Sequence, residues 1–261
     1  MNEQVVASAS WLAGSLDDPG VRVIDVRDAW EFDGIGHVPG AVNVPFERFR
    51  SDGDDGAGML PGADAWAALL GEAGIGNDDT LVAYDDTHGV FAARFLVTAA
   101  LYGHEDVRLL DGDYSAWNRD HATTTETAAV EATTYEVREP AESPLVDYET
   151  VLGVVDGDDP DTVVVDTREA WEFEEGHLPG AVHVDWRDAV DEGTRGLKPR
   201  EELLSLFAEA GVTPDRRILL YCNTARRISH TYLVLRHLGF DDVAFYEGSL
   251  TEWETRGGPV V

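Results

Sequence analysis

The stretch Asp25-Val-Arg-Asp-Ala-Trp-Glu-Phe32 recurs as Asp166-Thr-Arg-Glu-Ala-Trp-Glu-Phe173, and Gly36-His-Val-Pro-Gly-Ala-Val-Asn-Val44 recurs as Gly176-His-Leu-Pro-Gly-Ala-Val-His-Val184. The correspondence continues downstream. Leu81-Val-Ala-Tyr84 answers Ile218-Leu-Leu-Tyr221, and Asp111-Gly-Asp-Tyr-Ser-Ala-Trp117 answers Glu247-Gly-Ser-Leu-Thr-Glu-Trp253. A unit that returns once, at roughly half the chain, is a duplicated domain and is too long for a solenoid repeat. The 261 residues are therefore expected to form two domains, 1–120 and 145–261. Between them, 121–144 is rich in Thr, Glu and Ala without a clear period, and reads as a linker draped over a domain surface.

Each copy alternates short β-rich runs with helical patterns. In the second copy the runs Thr162 to Asp166, Ala181 to Val184, Arg217 to Tyr221 and Val243 to Tyr246 read as strands. Helices are expected over Pro199 to Ala210, opened by proline and stopped by Gly211, and over Ser229 to Leu238, stopped by Gly239. The first copy repeats the strands at Val21 to Val26, Ala41 to Val44, Thr80 to Tyr84 and Val107 to Leu110. The fold class is α/β: two tandem domains, each a mainly parallel sheet with helices on both faces.

Charge narrows the function. With 51 acidic and 19 basic residues the net charge is -32, and such a surface repels nucleic acid. Acidic clusters such as Asp52 to Asp55 and Asp156 to Asp161 lie between periodic segments and read as solvated surface. Self-repulsion on this scale calls for screening, and the Debye length falls to roughly 3 Å at 1 M salt. Adaptation to a salt-rich, halophilic cytoplasm is the expectation. One cysteine cannot close an intrachain disulfide, and no signal segment or bilayer-length apolar run is visible. A soluble cytoplasmic protein with no membrane partner is expected.

The chemistry concentrates at Cys222. In an open α/β sheet ligands bind where strands end and helices begin. Arg217-Arg-Ile-Leu-Leu-Tyr221 reads as a strand, Cys222-Asn-Thr-Ala-Arg-Arg227 as a loop, and Ile228 onward as a helix. A loop over a helix start turns backbone N–H groups and the positive end of the helix dipole toward an anion. Arg226 and Arg227 add charge beside a sulfur that such a site favours as thiolate. A lone cysteine is more often a small buried hydrophobe. Here its position, the helix start and the arginines together weigh toward catalysis.

Taken together, Asp-x-Arg and Gly-His-x-Pro-Gly-Ala in both halves, the Tyr221-Cys222 loop and the closing Gly-x-x-x-x-Trp of each half resemble the tandem-domain rhodanese family, the thiosulfate and 3-mercaptopyruvate sulfurtransferases. The block from Tyr221 to Thr231 is similar to the actinobacterial and archaeal branch. The resemblance implies two tandem rhodanese-like domains and a two-step reaction. Cys222 takes sulfur from a donor as a persulfide and passes it to an external thiol or cyanide. It further implies that backbone N–H groups of Asn223, Thr224, Ala225 and the two arginines hold charge on sulfur, that Arg226 or Arg227 binds the donor, and that no metal or organic cofactor takes part. The position matching Cys222 in the first half is Asp85, which cannot carry sulfur, so the first domain is expected to be inactive.

The other repeated residues are read structurally. Asp25–Arg27 and Asp166–Arg168 are expected as ion pairs at strand ends, with donor binding by Arg168 the less favoured role. His37 and His177 are expected to fix the turns before Pro-Gly, and Trp30, Trp171, Trp117 and Trp253 to lie in the core. Three features depart from the family pattern: Asn223 follows the cysteine directly, Ala225 stands where Gly is common, and Glu172 occupies the place of a donor-binding arginine of some animal enzymes. A cysteine phosphatase would need Cys-x5-Arg, and here that position is Ile228. A non-catalytic binding or sulfur-carrier module is the rival from a different class. Between donors, the two arginines favour dianionic thiosulfate over 3-mercaptopyruvate.

Overall fold

The computed structural model describes residues 4–51, 58–140 and 142–261; the cluster Asp52 to Asp55 lies outside the described residues. The chain divides into two compact units, Met1–Glu142 with Glu192–Leu197, and Ser143–Asp191 with Lys198–Val261.

In unit 1 the order is β1 (Val6–Ser8), α1 (Ala9–Ser15), β2 (Val21–Asp25), α2 (Ala29–Gly34), β3 (Val42–Asn43), α3 (Ala63–Glu72), β4 (Thr80–Tyr84), α4 (Val90–Leu101), β5 (Val107–Asp111) and α5 (Tyr114–Asp120). The strands form one sheet in the order β1-β5-β4-β2-β3, every pair parallel. Period-two alternation sends β4 side chains to both faces. Val82 and Tyr84 join a core with Leu12, Phe32, Tyr114 and Trp117, while α4 packs against β4 and β5.

Unit 2 repeats the plan with α6 (Tyr148–Asp156), β6 (Thr162–Asp166), α7 (Ala170–Glu175), β7 (Val182–His183), α8 (Arg200–Glu209), β8 (Arg217–Tyr221), α9 (Arg226–His237), β9 (Val243–Phe245) and α10 (Ser249–Thr255). Its sheet runs β7-β6-β8-β9, again parallel throughout. Leu219 and Tyr221 of β8 pack with Val151, Val164, Leu178 and Trp253.

The segment after α5 lies against unit 1. Thr124 bridges to His37, and the Thr133 and Arg138 N–H groups donate to the carbonyls of Gly71 and Tyr102. Gly103 shows how close this approach is. At φ +83° a Cβ there would sit 2.4 Å from the Arg138 carbonyl oxygen.

The strand-end ion pairs are present in both halves. Arg27 Nε donates to both Asp25 oxygens at 2.9 and 3.1 Å, and Arg168 Nε to both Asp166 oxygens at 3.0 Å. Their Nη2 atoms donate to the carbonyls of Gly36 and Gly176 at 2.8 and 2.7 Å. A tyrosine completes each group: the hydroxyls of Tyr84 and Tyr221 accept from the N–H groups of Val38 and Leu178 at 3.1 Å. Burial first, and then Asp166, push the Tyr221 hydroxyl well above its ordinary pKa, so it stays a neutral donor to that carboxylate. His37 and His177 stack on Phe32 and Phe173 at 3.6 and 3.7 Å and hydrogen-bond the carbonyls of those same residues, which fixes the turns.

Two tryptophan expectations fail. Trp117 and Trp253 are buried, but Trp30 and Trp171 are 65% and 57% exposed. Each of the latter sits on the outer side of a six-residue helix and donates its indole N–H to the helix-capping carboxylate, Asp28 or Glu169. Their recurrence reflects the duplication, not burial.

Candidate active site

β6 and β8 are parallel neighbours with Asp166 paired to Tyr221, so both chains leave the sheet at the same edge. β6 leads to α7, and β8 leads to Cys222 and α9. The turn is tighter than the sequence suggests. α9 begins at Arg226, so the loop is Cys222–Ala225 and both arginines stand in the helix's first turn. Ala225 is in the left-handed region at φ +63°, with its carbonyl accepting from Ser229 N–H at 3.2 Å and from the Ser229 hydroxyl at 2.7 Å. A side chain at that φ costs on the order of 1 kcal/mol, which the two closing bonds offset.

Two arginines in a helix's first turn, with no acidic residue there, oppose the helix dipole. Such a local conflict is characteristic of a site built for something other than stability. Between them, the helix start and the guanidinium groups make this corner a place for an anion.

Cys222 itself is 2% exposed, while Asn223, Thr224, Arg226 and Arg227 are half-buried around it. The cysteine is fixed from the far side by the first turn of α10. Its N–H donates to the Ser249 hydroxyl at 3.1 Å, and that hydroxyl donates to the Tyr246 carbonyl at 2.9 Å. The Cys222 carbonyl accepts from Leu250 N–H at 2.9 Å, and the Asn223 carbonyl from the Thr251 hydroxyl at 2.8 Å. Ser249 and Thr251 were not singled out in the sequence. The only signal was their place two to four residues beyond Glu247 in the closing repeat motif.

On the near side the partner is Glu172, third residue of α7. Its Oε2 accepts from Arg227 Nη1 at 2.6 Å and its Oε1 from Asn223 Nδ2 at 2.8 Å. The same carboxylate caps α7 through the Glu169 N–H at 3.0 Å. Burial would raise its pKa, but the Glu169 N–H, Arg227 and Asn223 outweigh burial and hold Glu172 below the usual carboxylate range. Cys222, Asn223, Thr224, Ala225, Arg226 and Arg227 are thus brought together, whereas the Arg168 guanidinium is engaged with Asp166 and the Gly176 carbonyl.

The first half supplies a direct reading of the same corner. Asp85 follows β4 as Cys222 follows β8, and its carboxylate is gripped by backbone. Oδ1 accepts from Thr87 and Gly89 N–H at 2.7 and 2.8 Å, and Oδ2 from Phe91 and Ala92 N–H at 2.7 and 3.1 Å. In register these donors correspond to Thr224, Arg226, Ile228 and Ser229. Residue four of each loop is left-handed, His88 at φ +56° and Ala225 at +63°. In the first half this corner is an anion cradle filled by a resident carboxylate; in the second half a thiol stands at the matching position, and the Ser229 N–H is given to the Ala225 carbonyl.

Among the described residues no cluster of His, Cys, Asp or Glu could hold a metal ion, and no helix is long and apolar enough to cross a membrane.

Comparison with known proteins points the same way. The Rhodanese-like domain model matches residues 8–120 and again 155–256. A thiosulfate sulfurtransferase of Corynebacterium glutamicum is 33% identical over 95% of this chain and 87% of its own. The sulfur carrier protein TtuD of Thermus thermophilus is 32% identical over 96% and 93%. The crystal structure of SseA from Escherichia coli, described as a 3-mercaptopyruvate sulfotransferase, superimposes with a TM-score of 0.83 at 29% identity, covering 94% of this chain and 98% of that one.

Proposed function

The chain belongs to the rhodanese family, with a rhodanese-like domain in each half, and from that premise we propose that it is a thiosulfate sulfurtransferase working through a Cys222 persulfide. The Cys222 sulfur attacks the outer sulfur of thiosulfate. The S–S bond of the donor breaks, sulfite leaves with the bonding pair, and the thiol proton goes to solvent. The outer persulfide sulfur is then attacked by an acceptor, and Cys222 leaves as thiolate. With one cysteine in the chain there is no internal resolving thiol, so the acceptor is external, cyanide or a thiol.

The observation that carries this reading is the four-donor grip on Asp85, which supports an anion site in the matching loop, where the second half carries sulfur instead. The N–H groups of Thr224, Arg226 and Ile228 would stabilise charge on the persulfide, and Arg226 would draw in the donor. Arg168 braces the strand end from which the loop springs. In the first domain the cradle is closed by its own carboxylate, which makes that domain non-catalytic.

A second donor, 3-mercaptopyruvate, is favoured by a specific contact. Arg227 is ion-paired with Glu172, which lowers the positive charge on offer to a dianion. Incubation with each donor followed by intact-mass measurement tests the proposal. Wild type should gain the mass of one sulfur atom, lose it to cyanide or dithiol, and Cys222→Ser should gain none. No gain with either donor would leave a binding module in its place.

The net charge of -32 supports a protein working in a salt-rich cytoplasm. Its melting temperature should rise from dilute buffer into molar KCl; a flat or falling profile removes that reading.

A further inference from the structure

Glu172 has an internal control. Its counterpart Glu31 occupies the same place in α2 and makes the same cap, Oε2 accepting from the Asp28 N–H at 3.2 Å. There the similarity stops. The loop positions that face Glu172 are Asn223 and Arg227, both of which donate to it; the matching positions beside Glu31 are Asp86 and Val90, neither of which can. Capping therefore explains the carboxylate in both halves, and only the second half adds a grip on the loop. Glu31 is half-buried, whereas Glu172 is 7% exposed and buried against the cysteine loop. A carboxylate placed beside an anion cradle is otherwise unfavourable, since like charge there works against the incoming donor.

We propose that Glu172 is a specificity-determining residue that sets the donor charge this site accepts. By ion-pairing Arg227 at 2.6 Å it cancels the charge of that guanidinium group in the α9 first turn. It also holds Asn223, the residue next to the sulfur, in one orientation. A dianion such as thiosulfate can recruit Arg227 only by displacing this pair, while a monoanion such as 3-mercaptopyruvate is served by the backbone cradle without it. Glu172 thus trades affinity for dianionic donors against discrimination by charge.

This inference rests on the sulfurtransferase reading for its choice of donors, but its test needs no turnover. In a Cys222→Ser background, which binds donors without reacting, calorimetric titration with thiosulfate and with 3-mercaptopyruvate is compared with and without Glu172→Gln. Glutamine keeps an oxygen for the Glu169 N–H and Arg227, removes the charge, and puts an amide nitrogen where Oε1 accepts from Asn223. Thiosulfate affinity is expected to rise roughly tenfold, which corresponds to about 1.4 kcal/mol, and 3-mercaptopyruvate affinity by twofold or less. Glu172→Asp, which keeps the charge, should leave the thiosulfate affinity near its original value. Adding Arg227→Gln should abolish the gain, because the released charge is that of Arg227. Equal changes for the two donors, a gain that survives Arg227→Gln, or no thiosulfate binding by either form would overturn the proposal. A protein that shows the charge-selective gain while wild type takes no sulfur from either donor would keep the role of Glu172 and lose the sulfurtransferase reading.

Discussion

The two loops at Asp85 and Cys222 are built on one backbone plan and serve opposite ends. Both follow a central strand, both place a left-handed residue fourth, and both lead into a twelve-residue helix. Each first residue has its carbonyl tied to the N–H of the fourth residue of the closing motif, Tyr114 for Asp85 and Leu250 for Cys222. In the first half the cradle is filled from within, and the surroundings are acidic: a cavity of about 340 Å³ is lined by Asp28, Glu31, Glu47, Asp85 and Asp86 with Arg27. In the second half the cradle is headed by sulfur and flanked by Arg226 and Arg227. The difference teaches that an anion site is not lost by one substitution alone. A resident carboxylate replaces the ligand, and Gly89 and Val90 stand where the second half has its two arginines.

The largest effect expected from this comparison is all-or-none. Asp85→Cys in a Cys222→Ser background places a thiol in the first cradle, where Gly89 and Val90 stand in place of the arginines. No sulfur uptake from thiosulfate is expected by intact mass, because acidic walls repel the donor. Uptake would mean that the backbone cradle suffices and the arginines are dispensable.

Next in size is Asp85→Asn. Burial pushes the Asp85 carboxyl up against the pull of four backbone N–H groups. An amide nitrogen facing two of those donors leaves them orphaned, at about 1–3 kcal/mol each. Denaturant unfolding should show a loss on that scale, with sulfur transfer by the folded protein unchanged. A neutral or stabilising result would show that relief of the buried charge outweighs the lost acceptors.

Ser249→Ala sharpens the comparison from the other loop. It removes the acceptor of the Cys222 N–H, and a loss of about 1–2 kcal/mol is expected together with slower persulfide formation. Loss of stability at full rate would make Ser249 a brace of the fold rather than of the sulfur.

The smallest effect concerns pH. Glu172 is held below the ordinary carboxylate range, so its contribution is present above its unfolded pKa, about 4.3, and disappears as pH falls through the lower folded value. The stability gap between wild type and Glu172→Gln should therefore stay constant around neutrality and close only below about pH 4.3. A gap that closes above that value would contradict the direction of the shift.

Much of this molecule could be read from residues alone, and the failures are informative. β6, β8 and β4 fall where short, continuous β-rich runs predicted them, since those runs are buried on both faces. The short helices α2 and α7 carried too little period to be seen, and the exposed Trp30 and Trp171 belong to them. α9 begins three residues earlier than its apolar pattern suggests, because Arg226 and Arg227 mask its start.

By itself the sequence determined the duplication, the parallel α/β plan of each half and the position of the lone cysteine at a strand end, because these depend on periodicity and local turn chemistry. Only the tertiary structure decided what the arginines do. Arg227 and Glu172 are far apart in the chain and meet because β6 and β8 are parallel neighbours in register, which delivers two helix starts to one edge of the sheet. A charge's partner is fixed by proximity in space, and proximity across strands is a property of the fold rather than of any local run of residues.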